Sequence, residues 1–212
     1  MGHRFKSYQP YHKLIKLIRK IYISMNLSSY YYFDWIEKVS DKGTDHSYIQ
    51  QYYCKKFTPL KNTPIIMLEI GIYKSQSLRL WKEWFTNSFI YCMDVDQTFV
   101  EKANTIPNVK AFNLNAFDKP ALNLFNDGFF DVIIEDGPHT FETQRFAVAN
   151  WSKKLKKGGT LIIEDIQSID WIEFLVKAIP NEENAAFEYK LFDLRSVKNR
   201  YDDILLEITR IK

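Results

Sequence analysis

The chain is predicted to fold as a doubly wound α/β domain: a mostly parallel sheet, finished by a C-terminal antiparallel hairpin and preceded by a helical N-terminal extension. Three observations predict this. From Pro64 onward short apolar runs alternate with stretches of helical periodicity, and strands separated by helices pair in parallel through right-handed crossovers. Several runs finish on Gly or on an acid, as strand tips do when they border a ligand crevice. The last two runs, 187–192 and 204–208, are joined by a turn near 198–201 and not by a helix, so they pair antiparallel.

Residues 1–57 read as a helical extension or lid, and 58–212 as the α/β domain. In the extension Leu14, Ile15, Leu17, Ile18, Ile21 and Tyr22 recur at helical spacing, with Lys13, Lys16, Arg19 and Lys20 between them. That describes an amphipathic helix. It packs on the domain, packs on a second subunit to support a homodimer, or lies on a membrane surface. Charges interrupt it too often for a membrane span or a secretory leader. In the domain, 65–71 is a buried strand, 78–85 a helix, 89–94 a strand, 97–104 a short helix, and 109–114 a weaker strand. A helix near 119–126 leads to a strand at 131–135, a helix at 140–154, a turn at 156–159, a strand at 160–163 and a helix at 169–178.

The 212 residues suit one domain, and 46% hydrophobic content is enough for a sizeable core. A net charge of +3 is too small to imply a nucleic-acid partner, although Arg4, Lys6, Lys13, Lys16, Arg19 and Lys20 all precede the first acid, Asp34. Cys54 and Cys92 make no framework, and Cys92 lies in an apolar run as a buried thiol. With no Cys-x-x-Cys and no leader the chain reads as cytoplasmic. Trp81, Trp84, Trp151 and Trp171 sit at helical positions and read as core.

Two strand tips carry the chemistry. Phe130-Asp131-Val132-Ile133-Ile134-Glu135-Asp136-Gly137-Pro138-His139 and Gly158-Gly159-Thr160-Leu161-Ile162-Ile163-Glu164-Asp165 both end on carboxylates. On neighbouring parallel strands Asp136, Glu164 and Asp165 share one rim. Three carboxylates crowd together only if their pKa values rise or a cation neutralises them. Oxygen donors of this kind suit a hard divalent ion such as Mg²⁺, and His139 stands beside it as a candidate base. Strand-end acids also serve as solvated turn residues or helix caps, and His139 could cap the following helix. Gln144 on that helix faces substrate or solvent.

Gly71 ends the first strand after Glu69 and Ile70, where a glycine lets a ligand approach the backbone. Asp94 ends the next strand, suited to the two hydroxyls of a ribose, at a spacing near the roughly 20 residues of nucleoside-binding folds. No Gly-x-Gly-x-x-Gly and no Walker A motif occurs, which favours a nucleoside without phosphates over NAD. Two ordinary turns would look the same.

Together Glu69-Ile70-Gly71, Asp94, Asp136, Gly158-Gly159 and the final hairpin resemble, over roughly residues 60–210, the Rossmann-like class I S-adenosylmethionine-dependent methyltransferases. Within that class Glu135-Asp136-Gly137-Pro138-His139 followed by Glu164-Asp165 resembles the metal-dependent O-methyltransferases of macrolide and aminocoumarin sugars, and the cephalosporin hydroxylase-like proteins. Ser40-Asp41-Lys42-Gly43-Thr44-Asp45-His46-Ser47-Tyr48, with Tyr52 in step, resembles that group's upstream motif. The resemblance implies that Asp136, Glu164 and Asp165 hold Mg²⁺, which grips neighbouring sugar hydroxyls, and that His139, with Asp136, serves catalysis. It implies that Glu69, Gly71, Ser77, Asp94, Asn115, Ala116 and Asp136 bind S-adenosyl-L-methionine, and that Lys42, His46 and Tyr48 face the acceptor, a small molecule or glycan. The chain departs from the group at Ser75 and Gln76, where glycines are usual, at Pro138, which replaces a Ser, and at Asn115, where Asp is common. Two other functions fit the same residues: a non-catalytic cofactor-binding or scaffold protein, and a nucleic-acid methyltransferase. The second lacks the Asn/Asp-Pro-Pro-Tyr/Phe signature and a broad basic groove.

Overall fold

The computed structural model describes residues 40–183 and 185–212. The amphipathic helix expected over residues 13–22 and the basic cluster lie outside them. Among the described residues the elements run α1 (Asp41–Thr44), a π-helical turn (Ile49–Tyr53), α2 (Cys54–Phe57), β1 (Ile65–Ile70), α3 (Gln76–Trp84), β2 (Ser88–Asp94), α4 (Gln97–Ala103) and β3 (Val109–Asn113). They continue with α5 (Lys119–Leu122), β4 (Phe130–Glu135), α6 (Phe141–Asn150), β5 (Leu155–Ile163), α7 (Ile172–Lys177), β6 (Phe187–Asp193), α8 (Arg195–Lys198) and β7 (Ile204–Arg210).

The strands form one sheet in the order β3-β2-β1-β4-β5-β7-β6. β1 to β5 pair in parallel, while β7 joins β5 and β6 antiparallel. This is the doubly wound sheet with a C-terminal hairpin that the alternation of patterns predicts. The strand order reverses between β1 and β4, and the carboxyl ends of strands at such a switch point border the ligand crevice. Gly71 follows the tip of β1, Asp136 that of β4, and Glu164 and Asp165 that of β5.

Some expected elements are different. The turn at 156–159 is a bulge inside β5: Phe130 pairs with Leu155, but Val132 already pairs with Thr160. Gly158 takes φ +80°, and a Cβ on Gly159 would lie 2.8 Å from the Phe130 carbonyl oxygen. The glycines therefore let the bulged strand stay against β4 instead of leaving the sheet. The helix expected over 140–154 stops at Asn150, where a 3₁₀ turn, Trp151–Lys154, takes over.

Side chains alternate across the strands, as the two-residue period requires, and divide the core into two layers. On one face Met67, Ile90 and Val132 meet Leu78, Trp81 and Trp84 of α3 and the run Tyr48, Ile49, Tyr52, Tyr53 and Phe57. On the other Leu68, Ile133 and Leu161 meet Ala147 and Val148 of α6, Trp151 and Leu175. Trp81, Trp84 and Trp151 are core residues as expected, and Trp171 packs half-buried at the margin of the second layer. Cys92 is buried and forms no disulfide. Each fully buried aromatic contributes on the order of 2–3 kcal/mol. The segment from Tyr48 to Phe57 is therefore tied firmly to the domain, and it holds Lys42, His46 and Tyr53 at the strand tips. No helix among the described residues is long and apolar enough to cross a membrane.

Candidate active site

The site is built on the approach of two strand tips. The Asp136 amide donates to the Ile70 carbonyl at 2.9 Å, and the Gly71 amide to Met93 at 3.0 Å. Gly71 has φ +91°, and a Cβ there would stand 2.0 Å from the Asp136 carbonyl oxygen; only glycine fits. The following loop lacks further glycines, yet Tyr73 and Ser75 take φ +43° and +60°, a left-handed conformation that costs a non-glycine residue about 1–2 kcal/mol. Asp94 offsets that cost. Its Oδ2 accepts from the Ile72 and Tyr73 amides at 2.8 and 3.2 Å, and its Oδ1 from the Asp96 amide at 2.9 Å.

Beyond this loop opens a cavity of about 320 Å³. Gly71, Ser77, Asp94, Asn115, Ala116 and Asp136 line it, joined by Tyr73 and Phe117. Asn115 reaches it as part of a turn its own side chain secures, donating to Asp118 and accepting from the Phe117 amide. Glu69 does not line the cavity. It is fully buried behind it and accepts from Trp81 Nε1 at 3.1 Å; burial pushes its carboxyl up to about 7, against the pull of Lys42.

Asp136, on the cavity wall, leads to the other acids. Asp136 Oδ1, Asp165 Oδ2 and His139 Nε2 converge, the imidazole 3.8 Å from Asp136 and 3.7 Å from Asp165, and all three donor atoms lie within 4.8 Å of one another. His139 and Asp165 both take positive φ, +55° and +52°, and such conformations gather at functional sites because the surroundings must enforce them. Glu164 lies deeper. Lys42 Nζ donates to Asp136 Oδ2 at 2.6 Å and to Glu164 Oε2, and the Tyr53 hydroxyl donates to Glu164 Oε1. Burial pushes the Glu164 and Asp165 carboxyls up, reinforced by Asp136. Burial alone would lower the Lys42 ammonium, but Asp136, Glu164 and Glu69 together hold it well above the ordinary lysine range.

Lys42, His46 and Tyr48 do come to the acids, but as buried partners of their side chains. All three are buried. Tyr48 donates to Asp165 Oδ1 at 2.5 Å and stacks on His46, whose Nδ1 is 2.6 Å from Asp203 and 3.4 Å from Asp165. His46, Asp202 and Asp203 make a second close group of metal-type donors. Gln144 faces neither solvent nor acceptor: it is fully buried and donates to the Glu164 carbonyl at 2.8 Å, fixing the β5 tip.

Tyr53, Asp203 and Glu135 escape a reading of the sequence. Tyr53 and Asp203 carry no motif, and Glu135 reads only as part of the acidic pair it makes with Asp136. Glu135 is fully buried: Oε1 accepts from the Gly137 amide at 3.3 Å, and Oε2 has no hydrogen-bond partner. Burial, then the charge of Asp136, push its carboxyl from 4.5 up to about 8. A raised acid is protonated in the fold, so its stabilising contribution is complete below the unfolded value and is lost as pH rises through about 8. Glu135→Gln should therefore melt at a higher temperature than wild type near about pH 9 and show no such gain near about pH 5, in paired thermal scans.

A methyltransferase domain family profile matches residues 68–166. The chain is 28% identical over 144 residues to an 8-demethyl-8-alpha-L-rhamnosyl tetracenomycin-C 2'-O-methyltransferase of Streptomyces olivaceus, covering 64% of this chain and 37% of that protein. It is 30% identical over 141 residues to mycinamicin VI 2''-O-methyltransferase of Micromonospora griseorubida, covering 62% and 34%. The chain thus spans little more than a third of the length of these relatives. The MycE methyltransferase, solved with Mg, SAH and mycinamycin VI, superposes with a TM-score of 0.61 at 20% identity over 82% of this chain and 54% of that one, a likeness of fold. Residues 68–166 of this chain thus match a methyltransferase domain profile, and the chain is similar to sugar O-methyltransferases that modify tetracenomycins and macrolides.

Proposed function

We propose that this chain transfers a methyl group from S-adenosylmethionine to a hydroxyl of a sugar or glycosylated small molecule, with a divalent cation such as Mg²⁺ at the strand tips. The observation that carries the proposal is the convergence of Asp136 Oδ1, Asp165 Oδ2 and His139 Nε2, with Asp136 also lining the cavity. The residues fit both groups. Gly71 leaves its backbone open to the cofactor, with Ser77, Asp94, Asn115 and Ala116 along the same wall. Asp136 Oδ1 and Asp165 Oδ2 are hard oxygen donors with no hydrogen bond to any described residue, while both oxygens of Glu164 are engaged by Lys42 and Tyr53. Asp136 and Asp165 would hold the ion, with Glu164 behind them.

When bound, the cofactor supplies an electrophilic methyl and the ion acidifies a coordinated hydroxyl. The chain does the rest. Gly71 and Asp94, on the cavity wall, would position the cofactor. His139 Nε2 would take the proton of the acceptor hydroxyl. Tyr48 and His46 hold Asp165 in place. His139→Ala should lower kcat by about 10²–10⁴-fold with cofactor affinity unchanged, read by mass spectrometry of the methylated acceptor.

The decisive test pairs calorimetry with turnover. S-adenosylhomocysteine should bind with Kd below ~100 µM, and methylation of rhamnosylated polyketide or macrolide acceptors should stop in EDTA and return with Mg²⁺. Absence of binding heat would favour a scaffold protein instead, and full turnover in EDTA would remove the metal.

A further inference from the structure

We propose that Lys42 is a built-in competitor for the divalent ion, its ammonium setting how tightly the strand-tip site holds a metal. The inference rests on the metal-dependent function above. Lys42 is 2% exposed, and its Nζ donates at 2.6 Å to Asp136 and also to Glu164. Those are two of the three carboxylates at the site. The remaining Glu164 oxygen accepts from Tyr53, so Glu164 has no oxygen free of the chain's own donors.

An ion drawing on Asp136 must therefore share that carboxylate with a positive charge already bonded to it. Like charges at this separation repel strongly where burial strips away water. Nor can Lys42 withdraw by moving its backbone. Ser40 accepts from the Lys42 amide at 3.3 Å. Lys198 Nζ donates to the Gly43, Thr44 and His46 carbonyls at 2.7, 2.9 and 2.8 Å, pinning the turn that carries Lys42. The turn is thus clamped at both ends, and only the side-chain torsions of Lys42 are left to yield.

Two outcomes follow for the ion. It binds on the His139 side, through Asp136 Oδ1 and Asp165 Oδ2, and it binds more weakly than a carboxylate cluster without an internal cation would allow. The ammonium in turn keeps the acids together without any ion: Asp136 and Glu164 stay paired instead of repelling one another.

Mn²⁺ serves as the probe, with bound ion counted by electron paramagnetic resonance on the full chain. Lys42→Met should bind Mn²⁺ at least ~10-fold tighter than wild type. Lys42→Met binding no tighter than wild type overturns the proposal. Mn²⁺ held by neither protein sinks the metal-dependent function itself, so the two failures are distinct. The wild type supplies a check that needs no variant to fold. Mn²⁺ should raise acetylation of Lys42 by acetic anhydride, read by peptide mass spectrometry, because an ion on Asp136 Oδ1 repels the ammonium that shares this carboxylate and loosens its contacts. Labelling unchanged by saturating Mn²⁺ overturns the competition even if Lys42→Met cannot be purified.

Discussion

Asp165→Asn should lower methyl transfer by at least ~10³-fold, about 4 kcal/mol of transition-state stabilisation, while leaving the fold intact. The substitution isolates charge. Asn has the same shape as Asp and tolerates the left-handed conformation at φ +52°. Its amide oxygen can still accept from Tyr48, as Asp165 Oδ1 does at 2.5 Å. What disappears is the anionic oxygen that faces His139 at 3.7 Å, one of two, with Asp136 Oδ1, available to a cation beside the imidazole. Stability should move the other way. Burial and the neighbouring Asp136 push the Asp165 carboxyl up, so the fold disfavours its charged form. The variant should melt at or above the wild-type temperature, the trade expected where a site holds like charges together for function. Turnover within tenfold of wild type would rule out a metal or positioning role for Asp165.

Most of the frame that makes this argument was legible. Apolar runs ending on Glu69-Ile70-Gly71, Asp94, Asp136 and Glu164-Asp165 marked strand tips, because a parallel strand buried on both faces leaves its polar residues only at the ends. The order of the tips placed them on one edge of the sheet. The role of Lys42 was not legible. The resemblance implies for the lysine in Asp-Lys-Gly-Thr a contact to an acceptor, and lysines are almost never fully buried unless paired. Its partners lie 94 and 122 positions away, a pairing that only tertiary packing of the aromatic run from Tyr48 to Phe57 creates. Gln144 was undecidable for the same reason, since helical spacing gives a face but not its neighbour. Gly158-Gly159 looked like a turn because a bulge and a turn make the same demand on the backbone, positive φ with no Cβ. Which of the two forms depends on whether the partner strand continues, and β4 does.

Gly71→Ala should abolish cofactor binding and destabilise the domain by about 3–5 kcal/mol, in the range of severe overpacking and strained-backbone changes. Two costs coincide. An Ala at φ +91° is strained by about 1–2 kcal/mol whatever the space around it. The added Cβ would also stand 2.0 Å from the Asp136 carbonyl oxygen and 2.8 Å from the carbonyl carbon, so backbone has to move. The tip of β4 is poorly placed to yield, since the Asp136 amide is bonded to Ile70 and its side chain to Lys42. Pushing the two tips apart opens the wall of the cavity at the point where a cofactor would approach closest, and it also shifts the oxygen that faces His139. Gly158→Ala separates the two costs. Gly158 has φ +80° with nothing within 4 Å of an added Cβ, so only the conformational strain applies: about 1–2 kcal/mol, with S-adenosylhomocysteine affinity unchanged. Urea melts and calorimetry on both variants would read the difference. If Gly71→Ala bound S-adenosylhomocysteine as tightly as Gly158→Ala does, the contact between the β1 and β4 tips could not be what shapes the cofactor site.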